Sequence, residues 1–142
     1  MTLLQQPRHS PPPSEARPRV LIVDDRAENL VALEAVLEPL DVQVVRASSG
    51  VEALARSAED EFAVILLDVM MPGVDGLETA RQLKARSASR LTPIIFVTAL
   101  DMDRRRVHDG YASGAVDYLF KPIEPAVVRA KVSAFVDLYT NR

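Results

Sequence analysis

The sequence predicts an α/β fold, a doubly wound parallel sheet of five strands with helices on both faces, in three layers. Short continuous apolar runs are typical of strands that are buried on both faces. Segments with apolar residues at three- and four-residue intervals separate these runs and predict helices. Because strand and helix patterns alternate throughout, right-handed crossovers between parallel strands are expected.

The first predicted strand is residues 20–23, which form an unbroken apolar run. A helix follows, because apolar residues recur there at helical intervals, and Pro39 ends it. Those helical positions are Leu30, Leu33, Val36 and Leu37. Residues 42–45 form the second apolar run, and Ser48 or Ser49 can cap the helix that comes after it.

The third strand is predicted at residues 63–67 and the third helix at residues 76–85. The fourth strand is predicted at residues 94–97. A fourth helix is predicted at residues 104–113, and Gly114 suits the left-handed position that closes a helix. Residues 118–120 complete the sheet, and Pro125 suits the first turn of a fifth helix. That helix would carry Val128, Val132, Phe135, Val136 and Tyr139 as an apolar stripe.

The start of the chain differs from the rest in composition. Residues 1–18 contain five of the ten prolines and lack the apolar core of a signal peptide. We therefore expect a flexible, proline-rich leader at residues 1–18 and one domain at residues 19–142.

Composition excludes several classes of protein. The 142 residues contain no cysteine, which excludes disulfides, cysteine-based zinc sites and thiol catalysis, and the cytoplasm is the expected location. No apolar run approaches the roughly 20 residues that a membrane helix needs. A net charge of −3 argues against nucleic-acid binding, and we interpret the Arg104–Arg106 run as a solvated helix face.

Polar side chains stand where the predicted strands end. Asp24 and Asp25 follow the first strand, Asp68 the third, Thr98 the fourth and Lys121 the fifth. In open parallel sheets the carboxyl ends of strands form the binding edge. We therefore expect three carboxylates, a hydroxyl and an ammonium group to converge there.

Three neighbouring carboxylates repel one another unless a cation joins them. All-oxygen ligands suit a hard divalent ion such as Mg²⁺, which also accepts phosphate oxygens. Lys121 and Thr98 could hold two further phosphoryl oxygens, and one carboxylate could act as a nucleophile that forms an aspartyl phosphate.

Four segments resemble the signature segments of response-regulator receiver domains, the CheY-like family of two-component signalling. They are VLIVDD at residues 20–25, VILLDVMMPG at 64–73, VTA at 97–99 and DYLFKP at 117–122. They occur in the family's order and spacing, and the resemblance covers residues 19–138. It implies a flavodoxin-like sheet with strand order 2-1-3-4-5 and five helices.

The resemblance implies a role for each site residue. Asp68 would be the phosphoacceptor. Asp25 and Asp68 would bind Mg²⁺ through their side chains, Met70 through its backbone carbonyl and Asp24 through water.

The same resemblance assigns residues to the switch. Thr98 and Lys121 would hold phosphoryl oxygens, and the Lys121–Pro122 peptide bond would be cis. Tyr118 matches the family's aromatic switch residue, whose ring would turn inward when Thr98 moves toward the phosphoryl group.

In this family, the residues two beyond the acceptor Asp and two beyond the switch Thr influence attack by water. Here they are Met70 and Leu100, which are apolar and cannot orient a hydrolytic water. We therefore expect slow spontaneous loss of the phosphoryl group.

Three other interpretations stay open. A haloacid-dehalogenase-like phosphohydrolase also uses an Asp nucleophile, but it needs a second Asp where this chain has Met70. A P-loop nucleotide-binding protein needs a glycine-rich phosphate loop, and the sequence contains neither GxxxxGK[ST] nor GxGxxG. A pseudo-receiver would keep the fold as an interaction module without phosphorylation.

The family resemblance also implies the partners. A histidine kinase or phosphotransfer protein would supply the phosphoryl group, and a downstream protein or fused output domain would receive the signal. The domain would be a switch that catalyses only its own phosphorylation and dephosphorylation, not a turnover enzyme. A homodimer through the fourth and fifth helices is expected, the last helix could extend as a signalling helix, and the chain could stand alone or form the receiver portion of a hybrid sensor kinase.

Overall fold

The computed structural model describes residues 17–71, 75–99, 112 and 114–141. This part of the chain contains five strands and four helices, which alternate except between the last two strands. The strands are β1 (Arg19–Val23), β2 (Gln43–Ala47), β3 (Val64–Asp68), β4 (Ile94–Ala99) and β5 (Ala115–Lys121). The helices are α1 (Ala27–Leu37), α2 (Gly50–Glu59), α3 (Gly76–Ala85) and α4 (Pro125–Thr140).

All five strands run parallel in one sheet, in the order β2-β1-β3-β4-β5. This is the order that the sequence predicts. β1 lies in the interior and β2 at one edge, so the strand order reverses between β1 and β3. Such a reversal opens a crevice at the carboxyl ends of the strands, which is where ligands bind in sheets of this kind.

Each face of the sheet packs against its own pair of helices. Alternate strand residues such as Leu21, Ile65 and Phe96 point to the face that α2 and α3 cover. Their neighbours, such as Ile22 and Leu66, point to the face that α1 and α4 cover. The central strands are buried on both sides, which explains their continuous apolar composition.

The strand ends differ from the prediction by one to several residues. β3 is displaced by one residue from the predicted 63–67, so that Asp68 is the last residue of the strand. β2 is likewise displaced toward its carboxyl end, and β5 extends beyond the predicted 118–120 in both directions. Main-chain pairing sets these ends, for example between Ile94 and Ala115, whereas the prediction followed side-chain polarity alone.

Side-chain caps begin two of the helices. The Ser49 hydroxyl accepts a hydrogen bond from the Glu52 N–H at 3.0 Å, while the Glu52 carboxylate accepts one from the Ser48 N–H at 2.7 Å. This exchange satisfies two main-chain donors and selects Ser49 as the capping residue. Asp75 caps α3 in the same way by accepting from the Glu78 N–H at 2.9 Å.

Several predictions fall outside the described residues. They are the leader up to residue 16, Leu100, the arginine run and all but residue 112 of the predicted fourth helix at 104–113. Gly114 is described and has a φ of 110°, the left-handed conformation expected of it. Within the described ranges, none of the helices has the length and apolar character required to cross a membrane.

Candidate phosphoacceptor site

The carboxyl edge of the sheet collects the predicted site residues from four neighbouring strands. Asp24 follows β1, while Asp68, Thr98 and Lys121 lie within β3, β4 and β5. The sequence prediction placed Asp68, Thr98 and Lys121 in the loops after the strands. In the structure they belong to the strands themselves. A sheet holds side chains more rigidly than a loop does, so these groups are positioned before any ligand arrives.

Three carboxylates form the base of the site. Asp24, Asp25 and Asp68 each place one carboxylate oxygen within 4.8 Å of those of the other two. Asp24 and Asp68 are buried, and Asp25 is exposed. The arrangement therefore opens to solvent on the Asp25 side.

Asp24 is held by its neighbours in α1. Its Oδ1 accepts a hydrogen bond from the Arg26 N–H at 3.0 Å, and its Oδ2 accepts one from Asn29 Nδ2 at 3.1 Å. Its own N–H donates to the Ala47 carbonyl at 3.1 Å, which continues the pairing of β1 with β2. The two side-chain bonds fix the position of both carboxylate oxygens.

Asp68 has a less favourable environment. Burial, and after it the neighbouring Asp24 charge, raise the pKa of its carboxyl to about 6, against the opposing effects of Lys121 and of the Met70 N–H. The Met70 N–H donates to Asp68 Oδ1 at 3.2 Å. A buried carboxylate beside two others has a strong tendency to attract a cation or to take up a proton.

Lys121 spans the two buried carboxylates. Its Nζ lies 3.8 Å from Asp68 Oδ1 and 3.9 Å from Asp24 Oδ2. These separations are ionic contacts longer than hydrogen bonds. The Lys121–Pro122 peptide bond is cis, as the sequence resemblance implied.

Thr98 and Tyr118 lie beneath the rim. Thr98 is buried in β4 and is paired with Phe120 of β5. The Tyr118 ring packs 5.7 Å from the Phe96 ring and 5.8 Å from the Phe120 ring, centroid to centroid. Tyr118 is only 4% exposed, and its role as a switch residue stays a prediction.

Gly76 brings the first turn of α3 against the acceptor strand. Its N–H donates to the Val69 carbonyl at 3.0 Å. A Cβ at this position would lie 2.4 Å from the Asp68 carbonyl oxygen and 2.7 Å from Val69 Cα. Only glycine permits so close an approach, because both obstructing atoms belong to the main chain.

The sequence prediction missed four contributors to the site, namely Arg26, Glu28, Asn29 and Gly76. The signal for Asn29 was its place in the first turn of a helix that begins directly after Asp24, since such a side chain faces back toward the preceding strand end. No composition or spacing pattern points to Gly76, because its role depends on how α3 approaches β3.

The donor set fits a divalent cation. The three clustered groups offer only oxygen atoms, which are the ligands that Mg²⁺ prefers. The raised pKa of Asp68 shows that the protein alone does not neutralise the cluster. The Met70 N–H bonds Asp68 Oδ1, so the main chain of Met70 lies beside the cluster, where its carbonyl could serve as a further oxygen ligand.

Comparison with known proteins gives a consistent result. Residues 20–133 match the family model described as the response regulator receiver domain. The chain is 44% identical over 114 residues to the response regulator PleD of Caulobacter vibrioides, which covers 80% of this chain and 25% of PleD. It is 34% identical to the protein PilH of Pseudomonas aeruginosa, covering 82% of this chain and 95% of PilH.

A solved structure extends the comparison to the site. The receiver domain of a sensor histidine kinase from Pseudomonas aeruginosa superimposes with a TM-score of 0.78 at 28% identity, over 86% of this chain and 99% of that one. That structure is described as holding a magnesium ion in its active-site cleft. The present chain spans about a quarter of PleD but most of PilH, so its relatives include both long and short proteins.

Proposed function

The chain belongs to the response regulator receiver domain family, whose members are phosphoacceptor switches, and from that premise we propose that Asp68 is the residue that accepts the phosphoryl group. The observation that carries this assignment is the environment of Asp68. It is buried, it is the last residue of β3, and its Oδ1 lies 3.8 Å from the Lys121 ammonium group. The other buried carboxylate, Asp24, instead has both oxygens held by hydrogen bonds from Arg26 and Asn29.

In the proposed transfer, an Asp68 carboxylate oxygen forms a bond to the phosphorus of the donor. The bond between phosphorus and the donor's nitrogen or oxygen breaks, and the leaving group takes the electron pair and a proton. Phosphoryl transfer requires mainly positioning and charge stabilisation. The acceptor is positioned by β3, because that strand is paired on both sides.

Lys121 and Thr98 would hold the phosphoryl oxygens. The Lys121 Nζ lies between two carboxylates at distances that leave its N–H groups able to turn toward a nearer anion. Thr98 is placed on the adjacent strand at the same edge. A cation and a hydroxyl donor that are fixed beside a buried acceptor stabilise developing charge more strongly than they would in bulk water.

We propose Mg²⁺ as the cofactor, held by Asp25 and Asp68 directly, by the Met70 carbonyl, and by Asp24 through water. Bound there, it would neutralise the charge that phosphoryl oxygens bring to the acidic cluster. The Asp24 carboxylate is already held in position for this role by hydrogen bonds from the Arg26 N–H and the Asn29 side chain.

The proposed phosphoryl source is a histidine kinase or phosphotransfer protein, and the proposed readout is contact with a downstream protein or a fused output domain. A cytoplasmic setting is consistent with the absence of cysteine. Dimerisation through the fourth and fifth predicted helices stays a prediction, since the fourth lies almost wholly outside the described residues. No observation favours the dehalogenase-like alternative, because Met70 stands where that chemistry needs a second Asp.

Intact-mass spectrometry after incubation with Mg²⁺ and acetyl phosphate tests the assignment. We expect the wild type to gain one phosphoryl group and Asp68→Asn to gain none, whereas the exposed Asp41→Asn should behave as the wild type. Chelation of Mg²⁺ should stop the reaction. Labelling that persists in Asp68→Asn would place the acceptor elsewhere, and an unlabelled wild type would support the pseudo-receiver alternative.

A further inference from the structure

Arg26 stands at the rim of the acidic site, directly after Asp24 and Asp25. It occupies the N-cap position of α1, and its main-chain N–H holds Asp24 Oδ1 at 3.0 Å. The main chain of Arg26 is therefore fixed relative to the site. Its side chain is 66% exposed, and the roles proposed above leave it unused.

Glu28 holds the Arg26 guanidinium in this structure. Arg26 Nε and Nη2 donate to the same Glu28 oxygen, Oε2, at 3.0 and 2.7 Å. The two-oxygen arrangement that makes the strongest arginine–carboxylate pairs is therefore not formed. Exposed ion pairs contribute little to stability, because water and salt screen them and the side chains lose freedom. This pair can open when a more highly charged anion arrives.

The guanidinium is within electrostatic reach of the site. The main chain of Arg26 directly follows Asp25 and bonds the Asp24 carboxylate, so its long side chain starts at the entrance to the acidic cluster. The three clustered carboxylates outnumber the single Lys121 ammonium that contacts two of them. The proposed Mg²⁺ would offset the remaining carboxylate charge, but a dianionic phosphoryl donor would then bring two negative charges that the site does not neutralise. One added cation at the entrance would reduce this excess.

We propose that Arg26 is the docking residue for the phosphoryl donor, and that Glu28 competes with the donor for it. In the encounter complex the guanidinium leaves Glu28 and binds two oxygens of the phosphoryl group before Asp68 attacks. This role rests on the proposed function, since it concerns how the donor reaches the acceptor. Arg26 would contact the incoming phosphoryl group, whereas Glu28 would act only by holding the Arg26 guanidinium away from that group.

The two members of the pair should have opposite effects on the reaction. With acetyl phosphate as the probe, Arg26→Gln should lower the second-order rate constant of phosphorylation by about threefold to tenfold, as expected for one rim charge acting on a dianion in water. Glu28→Gln should raise it, because Arg26 is then released. Both effects should shrink as ionic strength rises above about 0.1 M, where the screening length is about 10 Å.

The chain offers a matched control in Arg46 of β2 and Glu34 of α1. Their side chains form an exposed ion pair at 2.6 Å between edge strand β2 and α1, outside the segment that carries Asp24, Asp25 and Arg26. Arg46→Gln and Glu34→Gln change net charge by the same amounts and should leave the rate constant unchanged. Thermal unfolding of all four variants checks that each is folded.

An unchanged rate constant in Arg26→Gln overturns the inference, as does a Glu28→Gln variant that is slowed like Arg26→Gln. The second result would mean that the pair acts only by holding the loop. A wild type that accepts no phosphoryl group overturns the proposed function, and this inference with it. If the wild type is phosphorylated and Arg26→Gln has the same rate constant, the inference about Arg26 is overturned and the proposed function is not.

Discussion

Two lysines at opposite edges of the sheet have opposite environments. At the amino edge, Lys84 Nζ donates to the carbonyls of Arg90 and Thr92 at 3.1 and 2.6 Å. At the carboxyl edge, Lys121 Nζ lies 3.8 and 3.9 Å from the two buried carboxylates. Lys84 completes its hydrogen bonds inside the fold, whereas Lys121 keeps its donors at distances that suit an additional ligand.

The groups around the two lysines also differ. The stem of Lys84 lies against Gly114, where a Cβ would come within 2.6 Å of Lys84 Cγ, and burial lowers the pKa of Lys84. The carboxyl edge instead combines carboxylates that destabilise one another. A region whose polar groups are satisfied internally maintains structure, and a region left electrostatically incomplete is prepared for binding.

Removal of the acceptor carboxylate should have the largest effect on the carboxyl edge. The folded-state pKa of Asp68, about 6, lies above its ordinary value of 3.8. For an acid with a raised pKa, the stabilising contribution is present at low pH and is lost as pH rises from about 4 through about 6. Two pKa units correspond to about 3 kcal/mol. We therefore expect Asp68→Asn to raise the free energy of unfolding of the metal-free protein by up to this amount at pH 7.5.

Urea denaturation in a chelating buffer at pH 4 and pH 7.5 measures this effect. The gain of Asp68→Asn over the wild type should be small at pH 4 and large at pH 7.5, and Mg²⁺ should reduce it by stabilising the wild type. Equal stability of the two proteins at pH 7.5 would mean that the acidic edge carries no electrostatic cost.

The paired variants Lys84→Met and Lys121→Met should separate the two edges. Methionine keeps most of the apolar stem, so Lys84→Met chiefly loses the two charged hydrogen bonds to the carbonyls of Arg90 and Thr92, at a cost of about 1–3 kcal/mol. Its phosphorylation by acetyl phosphate should be unchanged. Lys121→Met should remain folded but accept phosphate much more slowly. Denaturation measures the stability of both proteins, and intact-mass spectrometry measures their phosphorylation. A folded Lys84→Met protein that is not phosphorylated would contradict the assignment of Lys84 to stability and Lys121 to phosphorylation.

The smallest expected effect concerns the lifetime of the phosphorylated form. Met70 is 62% exposed beside the acceptor and offers no side-chain group that could orient water. Met70→Asn should therefore speed the loss of phosphate by roughly threefold to tenfold, equivalent to about 1 kcal/mol in the barrier. Loss of phosphate is followed by mass spectrometry after the donor is removed. Equal or slower loss in Met70→Asn would count against this explanation.

The sequence was sufficient to predict the sheet because the core strands are apolar on both faces, as residues 64–67 and 94–97 illustrate. It was also sufficient to predict the convergence of Asp24, Asp68 and Lys121, since parallel strands must end at one edge. It could not predict where strands end, because Asp117 and Lys121 of β5 are polar residues held by main-chain pairing.

Local side-chain geometry was also beyond the sequence. The hydrogen bond from Asn29 to Asp24 depends on the angle at which α1 leaves β1. Asp75 is a second example, since its carboxylate caps α3. Short polar residues serve loops and helix starts equally well, and only tertiary placement distinguishes the two roles.

Gly76 sets a condition on any attempt to redesign this domain. Because no side chain separates the start of α3 from the main chain of Asp68, the helix and the acceptor form one mechanical unit. A loop grafted between residues 69 and 75 from another protein would have to preserve that spacing to a fraction of an ångström. Chimaeras should therefore exchange β3 and α3 together, with junctions placed beyond Ala85.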